Sequence, residues 1–510
     1  MSLQSLGYLA FLPLTAAVYL HLPHKWQAPF LLGASWCFYL LAAPGMFLVL
    51  LGCTLLPWLC GLGLLGPHKK ACLRLGVLGC LGCLAFFKYA GLLAAPLSAF
   101  LARAGLAVQL PALAMPLGIS FTTFASIGYL VDAARGEAAP ERSFVHYALF
   151  TSLFATITAG PICRAPALLP QLHAEHRFSE GRTVRALRLY ALGLFKKVAV
   201  ADVLMLFVRP VFSNIAGHGG PALLAALLGY TLYLYFDFAG YSEMARASGL
   251  LLGLELPENF KTPFFAANFS GFWARWHISL SSWLQDYLFT PLVWADASRI
   301  PLLGRKIGRF SPVFCVFIVF FLSGFWHGNT LPFVVWGLLQ GLYRAGEELC
   351  HRYLGKPRKK APAYTVWAKR AGVFALWAFG MAFFAMGSGI GADGPRPVGD
   401  ALALLGGILR GWSLTRFAAE ARAAVLAGFY ANGLMAAAWL AFAAFGLVLS
   451  VWMDWQRFAR CKSAGAEEML AAQPTRRRWV LYYLLVLGIF AGLIMQNGGF
   501  GGQSFAYAGF

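Results

Sequence analysis

Two histidines carry the clearest chemical potential in this sequence. His327 closes a strongly apolar run, Leu322-Ser323-Gly324-Phe325-Trp326-His327-Gly328. A neutral imidazole takes up and returns a proton near pH 7, and apolar surroundings favour its neutral form. Trp326 would wall such a site from water. Three uses fit His327 on chemistry alone: general-base catalysis, a hydrogen bond inside a helix bundle, and proton or ion translocation. His277 lies in Phe272-Trp273-Ala274-Arg275-Trp276-His277-Ile278-Ser279-Leu280-Ser281. With Arg275 and Ser279 beside it, it would orient a substrate carbonyl or support His327; a purely structural role is the alternative.

Further polar residues interrupt apolar stretches. Asp237, Tyr241 and Glu243 lie in Tyr235-Phe236-Asp237-Phe238-Ala239-Gly240-Tyr241-Ser242-Glu243, and Asn259 lies in Pro257-Glu258-Asn259-Phe260. An ionisable side chain at the centre of a membrane helix costs about 2.5–3.5 kcal/mol on the insertion scale, so each needs a reason to be there. Asp237 and Glu243 could serve as acids. The preferred reading pairs them with Arg246, Arg275 or Lys261, because buried charges need partners; Asp286 with Arg275 is a similar pair. Asn259, Tyr241, Ser279, Arg275, Asp237 and Trp326 form the expected supporting set around the two histidines.

Other chemistries lack their signatures. No HExxH or other zinc-type spacing occurs, the ten histidines lie mostly at span ends or in loops, and no metal is expected. No GxSxG elbow is present. Gly61-Leu62-Gly63-Leu64-Leu65-Gly66 matches GxGxxG, yet it sits inside an apolar run with no strand before it, and reads as small residues for helix packing. Cys80-Leu81-Gly82-Cys83 lacks a second pair, and the ten cysteines form no framework, so they read as small apolar residues. Gly249xxxGly253 and Gly337xxxGly341 would allow close helix approach.

The composition says what must position these residues. Hydrophobic residues make up 59% of the 510 and charged residues 12%. That excludes a disordered chain, a fibre and a small disulfide scaffold, and it leaves too few charges to cover a soluble enzyme. Windows long enough for membrane helices lie at 3–20, 27–43, 46–66, 72–95, 110–132, 188–213, 221–238, 312–326, 330–349, 366–387, 433–452 and 479–496. The first reads as a retained span, since no basic segment precedes it and no cleavage site follows. Stretches 144–162 and 240–292 are apolar but broken by Gly160-Pro161, Gly240, Pro257 and Pro263, and read as re-entrant or interfacial helices. The expectation is one all-α membrane domain over 1–510: peripheral spans to about 110, a core to about 350, and C-terminal spans with an outside loop at 388–432.

The formal net charge is +21. Its basic residues cluster at 68–74, 164–188, 299–309, 356–370 and 457–478, beside spans, and all can share the cytoplasmic side if both termini lie outside. The excess then reports orientation, and no nucleic-acid partner is expected.

These residues also carry a resemblance. Pro116-Leu117-Gly118-Ile119-Ser120-Phe121 with Tyr129-Leu130-Val131-Asp132, then Ala159-Gly160-Pro161-Ile162 with Arg164, then the stretches around Asp237, His277 and His327 are similar to the membrane-bound O-acyltransferase family, and within it to the bacterial alginate O-acetylation branch. The resemblance runs from about residue 5 to the C-terminus and is strongest over 115–345. It implies a ring of about 11–12 transmembrane helices around a thin centre, with re-entrant helices and a cytoplasmic funnel. It implies that His327 is the active-site histidine and His277 the second residue of the site. The implied location is the bacterial inner membrane, in contact with its lipid. The implied donor is acetyl-CoA or an acyl carrier protein, and the implied partner is an extracytoplasmic acetyltransferase that acetylates an exopolysaccharide. A sister branch moves D-alanine toward teichoic acid. The chain departs from the family pattern at Cys163, at Asn329-Thr330 and at Ala385, which follows Phe383-Phe384.

Overall fold

The computed structural model describes residues 2–103, 115–295, 310–355, 362–428, 433–460 and 465–497. Every regular element among them is a helix. Apolar surroundings impose this, because a helix satisfies its backbone N–H and C=O groups within one segment. Each of the twelve windows falls wholly or partly on helix. Among the described residues, five helical stretches are long and apolar enough to cross a membrane: Pro44–Gly63, Lys69–Gly91, Gly220–Leu252, Ala363–Gly387 and Thr475–Ile494. The basic residues at 299–309, those at 356–360, Lys462 and the C-terminus lie outside the described residues.

The chain forms two compact units. The first comprises Met1–Tyr190 and Tyr241–Glu258. It holds α1 (Leu6–His21), α2 (His24–Ala42), α3 (Phe47–Gly63), α4 (Lys69–Arg103), α5 (Ile119–Arg135), α6 (Phe144–Ser152), α7 (Ala165–Leu172) and the greater part of α8 (Glu180–Phe195). Gly61 and Gly63 of the GxGxxG stretch act as packing surface. A Cβ on Gly61 would lie 2.3 Å from Tyr129 Oη, and one on Gly63 2.5 Å from Cys72 Sγ. Cys83 faces Cys53 of α3, with the sulfurs 3.3 Å apart.

The second unit comprises Ala191–Gly240 and the chain from Asn259 to Ala506. After the end of α8 it contains a π-helical turn at Lys196–Ala201, α9 (Asp202–Ser213) and α10 (Gly220–Leu252) as far as Gly240. Next come the short α11 (Phe269–Trp273), α12 (Ile278–Leu284) and α13 (Thr290–Trp294). The longer α14 (Pro312–His327), α15 (Leu331–Leu354) and α16 (Ala363–Gly387) follow. α17 (Val398–Ile408), α18 (Leu414–Gly428), α19 (Gly433–Arg460), α20 (Ala466–Ala471) and α21 (Thr475–Asn497) complete it.

One expectation is corrected here. Gly240 does not break a helix: α10 runs through it to Leu252. A Cβ at this position would stand 2.6 Å from the carbonyl oxygen of Gly193, so Gly240 admits a neighbouring backbone. The true break is Gly253, whose φ of +94° ends the helix. The segment behind it, from 253 to 277, is irregular apart from short helical turns, in keeping with the broken reading.

The π-helical turn has a specific effect. The Asp202 N–H donates to the Lys197 carbonyl, five residues back. In an α-helix residues five apart diverge by about 140°; the wider turn sets Lys197 and Asp202 on one face. The fully buried Lys197 Nζ then lies 2.7 Å from Asp202 Oδ1 and 2.7 Å from Asp237 Oδ1 on α10.

The α14–α15 hairpin rests on backbone contact between glycines. A Cβ on Gly337 would meet the Gly324 Cα at 3.0 Å and the Phe320 carbonyl oxygen at 2.5 Å. Gly341, one turn on, faces Phe317. Gly337→Leu should therefore force the hairpin apart at a cost of about 1–3 kcal/mol, read as a lower Tm of the detergent-solubilised protein. Gly346→Ala, on the same helix with nothing within 4 Å of its added Cβ, should leave the Tm unchanged or raise it.

Candidate active site

His277 sits at the entry to α12 in a left-handed conformation, φ 43° and ψ 54°. It and Thr262 are the two non-glycine residues with positive φ among those described. Such a conformation costs about 1–3 kcal/mol and persists only where neighbours hold it. Asn259 supplies the hold. Its backbone carbonyl accepts the Ile278 N–H at 3.0 Å. Its side-chain Oδ1 accepts the Ser279 N–H at 3.2 Å and the Ser279 hydroxyl at 2.6 Å. Farther out, the Lys261 N–H donates to the Arg275 carbonyl at 3.0 Å. Asn259, His277 and Ser279 are all buried. The His277 ring meets Phe238 of α10 edge-on, with centroids 4.7 Å apart.

His327 is the last residue of α14 and is buried. Four rings surround it: Trp326 at 4.6 Å, Trp336 at 5.0 Å, Phe384 at 5.0 Å and Phe333 at 6.3 Å. Gly328 gives Phe333 room, since a Cβ there would lie 2.4 Å from its ring. An aromatic series joins the two histidine segments. Trp276 packs 4.8 Å from Trp377, Trp377 lies 6.3 Å from Trp336, and Trp336 touches His327. Trp336 and Trp377 are fully buried.

Of the expected supporting residues, Asn259 and Ser279 stand with His277, and Trp326 stands with His327. Asp237 serves the interior: its partner is Lys197, which corrects the expected pairing with Arg246, Arg275 or Lys261. Arg246 instead reaches Glu258 at 3.6 Å and the Leu256 carbonyl at 3.3 Å. The Arg275 guanidinium lies over the Phe458 ring, 5.5 Å from its centroid. Tyr241 belongs to the first unit, where its hydroxyl bonds Thr158 Oγ1 and accepts the Ala159 N–H. Sequence reasoning does not single out Trp336, Trp377, Phe333 or Phe384 as site residues. Their one signal is aromatic density on the helices that follow His327.

The arrangement holds two buried imidazoles on a rigid aromatic frame, with the backbone around one of them clamped. That is suited to proton transfer in a space from which rings exclude water.

Comparison with known proteins places these residues in context. Residues 133–387 match the MBOAT, or membrane-bound O-acyltransferase, family. The chain is 35% identical over 347 residues to a probable alginate O-acetylase AlgI of Pseudomonas putida, covering 66% of this chain and 68% of that protein. It is 32% identical over 305 residues to a peptidoglycan O-acetyltransferase of Helicobacter pylori, covering 54% and 55%. It is 30% identical over 257 residues to a teichoic acid D-alanyltransferase of Bacillus subtilis, covering 48% and 60%.

The clamp can be tested without any substrate. Asn259→Ala removes the acceptor of a buried N–H, a loss of about 1–3 kcal/mol. Hydrogen exchange in the peptide holding Ser279 should then quicken by about 5- to 150-fold. Asn259→Asp, which keeps an Oδ acceptor, should preserve the protection.

Proposed function

The chain belongs to the membrane-bound O-acyltransferase family, and on that premise we propose that it moves an acetyl group from a cytoplasmic thioester, acetyl-CoA, across the membrane for O-acetylation of an exopolysaccharide or cell-wall polymer. The observation that carries this reading is the burial of His327 within four aromatic rings, in the same unit as the clamped His277. His327 acts as general base. It takes the proton of an acceptor hydroxyl as that oxygen attacks the thioester carbonyl carbon. The C–S bond breaks, and the thiolate leaves and receives a proton. A neutral His277 donates a ring N–H toward the acyl carbonyl oxygen and fixes its position. Trp326, Trp336 and Phe384 keep out the water that would hydrolyse the thioester.

The relatives named for O-acetyl transfer support acetyl as the group, and their bacterial sources support the inner membrane as the location. The basic residues within 164–188 and 299–309 would attract an anionic donor from the cytoplasm. Both termini are assigned to the outer side, where an extracytoplasmic acetyltransferase would complete the transfer. A second reading, D-alanyl transfer from a carrier protein, rests on the more distant D-alanyltransferase relative.

The test is purified protein in liposomes with radiolabelled acetyl-CoA and, separately, a D-alanyl carrier protein. Acetyl transfer or thioester hydrolysis by the wild type is expected, with His327→Ala lowering it about 10²- to 10⁴-fold while remaining folded and inserted. Normal acylation by His327→Ala would sink the assigned role. Label accepted only from the carrier protein would favour the second reading.

A further inference from the structure

The first unit contains a cluster that acyl transfer leaves unused. Glu141 lies in the connection between α5 and α6, His146 in the first turn of α6, and His173 at the end of α7. One ligand-type atom from each lies within 4.8 Å of the other two. We infer that Glu141, His146 and His173 bind a divalent transition-metal ion, with zinc the best match to two imidazoles and one carboxylate.

The donor set is the first argument. Two histidines and a glutamate give zinc three protein ligands and leave a fourth position for water. Zinc bonds of about 2.0–2.2 Å place ligand atoms of a tetrahedral site roughly 3.4 Å apart. His173 Nε2 and Glu141 Oε2 stand 2.7 Å apart, so a small opening admits the ion. His173 is half exposed at a helix end and can make that movement.

The support around the ligands is the second argument. Ser143 Oγ lies 2.8 Å from His146 Nδ1, which leaves Nε2 as the ring nitrogen for the ion. The Ser143 N–H donates to the other Glu141 oxygen at 2.7 Å. Ligating groups that are themselves held in this way bind tighter. The Glu141 backbone is pinned twice: its N–H donates to Tyr129 Oη at 3.0 Å, and its carbonyl accepts the Trp58 indole N–H at 3.0 Å. The two imidazoles stack 3.8 Å apart at 14°, so the half-exposed His173 ring must turn out of the stack for both in-plane lone pairs to reach one ion. Exposed carboxylates on a free surface lack such an outer frame. An ion here would staple α7 to the connection ahead of α6 and to α6 itself.

The experiment uses full-length protein purified through a tag without histidine, stripped with chelator, and then titrated with zinc chloride against a chromophoric zinc indicator. Metal content after desalting is measured in parallel. One tightly held equivalent and a zinc-dependent rise in Tm are expected. Glu141→Gln and His173→Asn should each weaken binding at least about 100-fold, beyond the about 10- to 100-fold cost of losing an outer partner. Their Tm without zinc, compared with the wild type, checks that they fold. His351→Ala, a half-buried histidine on α15 outside the cluster, should bind zinc as the wild type does. Equal stoichiometry and affinity in wild type and in the His146→Ala/His173→Asn double variant would overturn the assignment. So would a wild type that retains no zinc; the cluster would then be a hydrogen-bonded histidine–carboxylate surface only. Neither outcome bears on acyl transfer, which uses other residues.

Discussion

The ammonium of Lys197, shared by Asp202 and Asp237, is the interaction on which much of the second unit depends. A lone charge in such surroundings is too costly to keep, and two carboxylates brought together would repel without the cation. The cluster therefore fixes three elements at once: the π-helical turn, α9 and α10. A second pairing extends it, since the Tyr235 hydroxyl donates to Asp454 of α19 at 2.6 Å and Lys196 lies 4.0 Å from the same carboxylate. The residue after Asp237 is Phe238, whose ring His277 meets edge-on. The charge cluster thus sets the position of the surface on which one of the two candidate histidines rests.

The helices are legible in the sequence because hydropathy reports burial in lipid or protein, and the twelve windows follow that signal closely. The two histidines are legible for the complementary reason: in so apolar a chain a polar residue is conspicuous. Asn259 stands out in the same way, though its task is not readable, because holding a left-handed backbone at His277 depends on a contact across twenty residues. The partner of Asp237 escapes for a related cause. Lys197 sits forty positions earlier, next to Lys196 inside the 188–213 window, too far along the chain for spacing to pair it with Asp237. Gly240 misleads because glycine marks both breaks and close approaches, and only the neighbouring backbone of Gly193 tells which. Glu141, His146 and His173 form no motif because three separate segments deliver them.

The two candidate histidines are held by different physical means. Polar clamping governs His277: one asparagine receives two N–H groups and a hydroxyl, and the backbone conformation follows. Shape governs His327: rings fill the space on several sides, and glycines at 324, 328 and 337 let those rings and helices come close. The first arrangement is sensitive to a single atom on residue 259. The second is sensitive to added volume almost anywhere around it.

The π-helical turn at Lys196–Ala201 also constrains how this chain can change over generations. It carries one residue more than a regular turn, and each residue in a helix turns the chain by about 100°. Loss of one residue there would turn every side chain of α9 onto a new face and carry Asp202 away from Lys197. Residues 198–201 are buried, so only apolar types of similar volume fit there, and the pairing of the lysine with the aspartate fixes the number of residues between them. Along this stretch a deletion would be harder to absorb than the exchange of one small apolar residue for another.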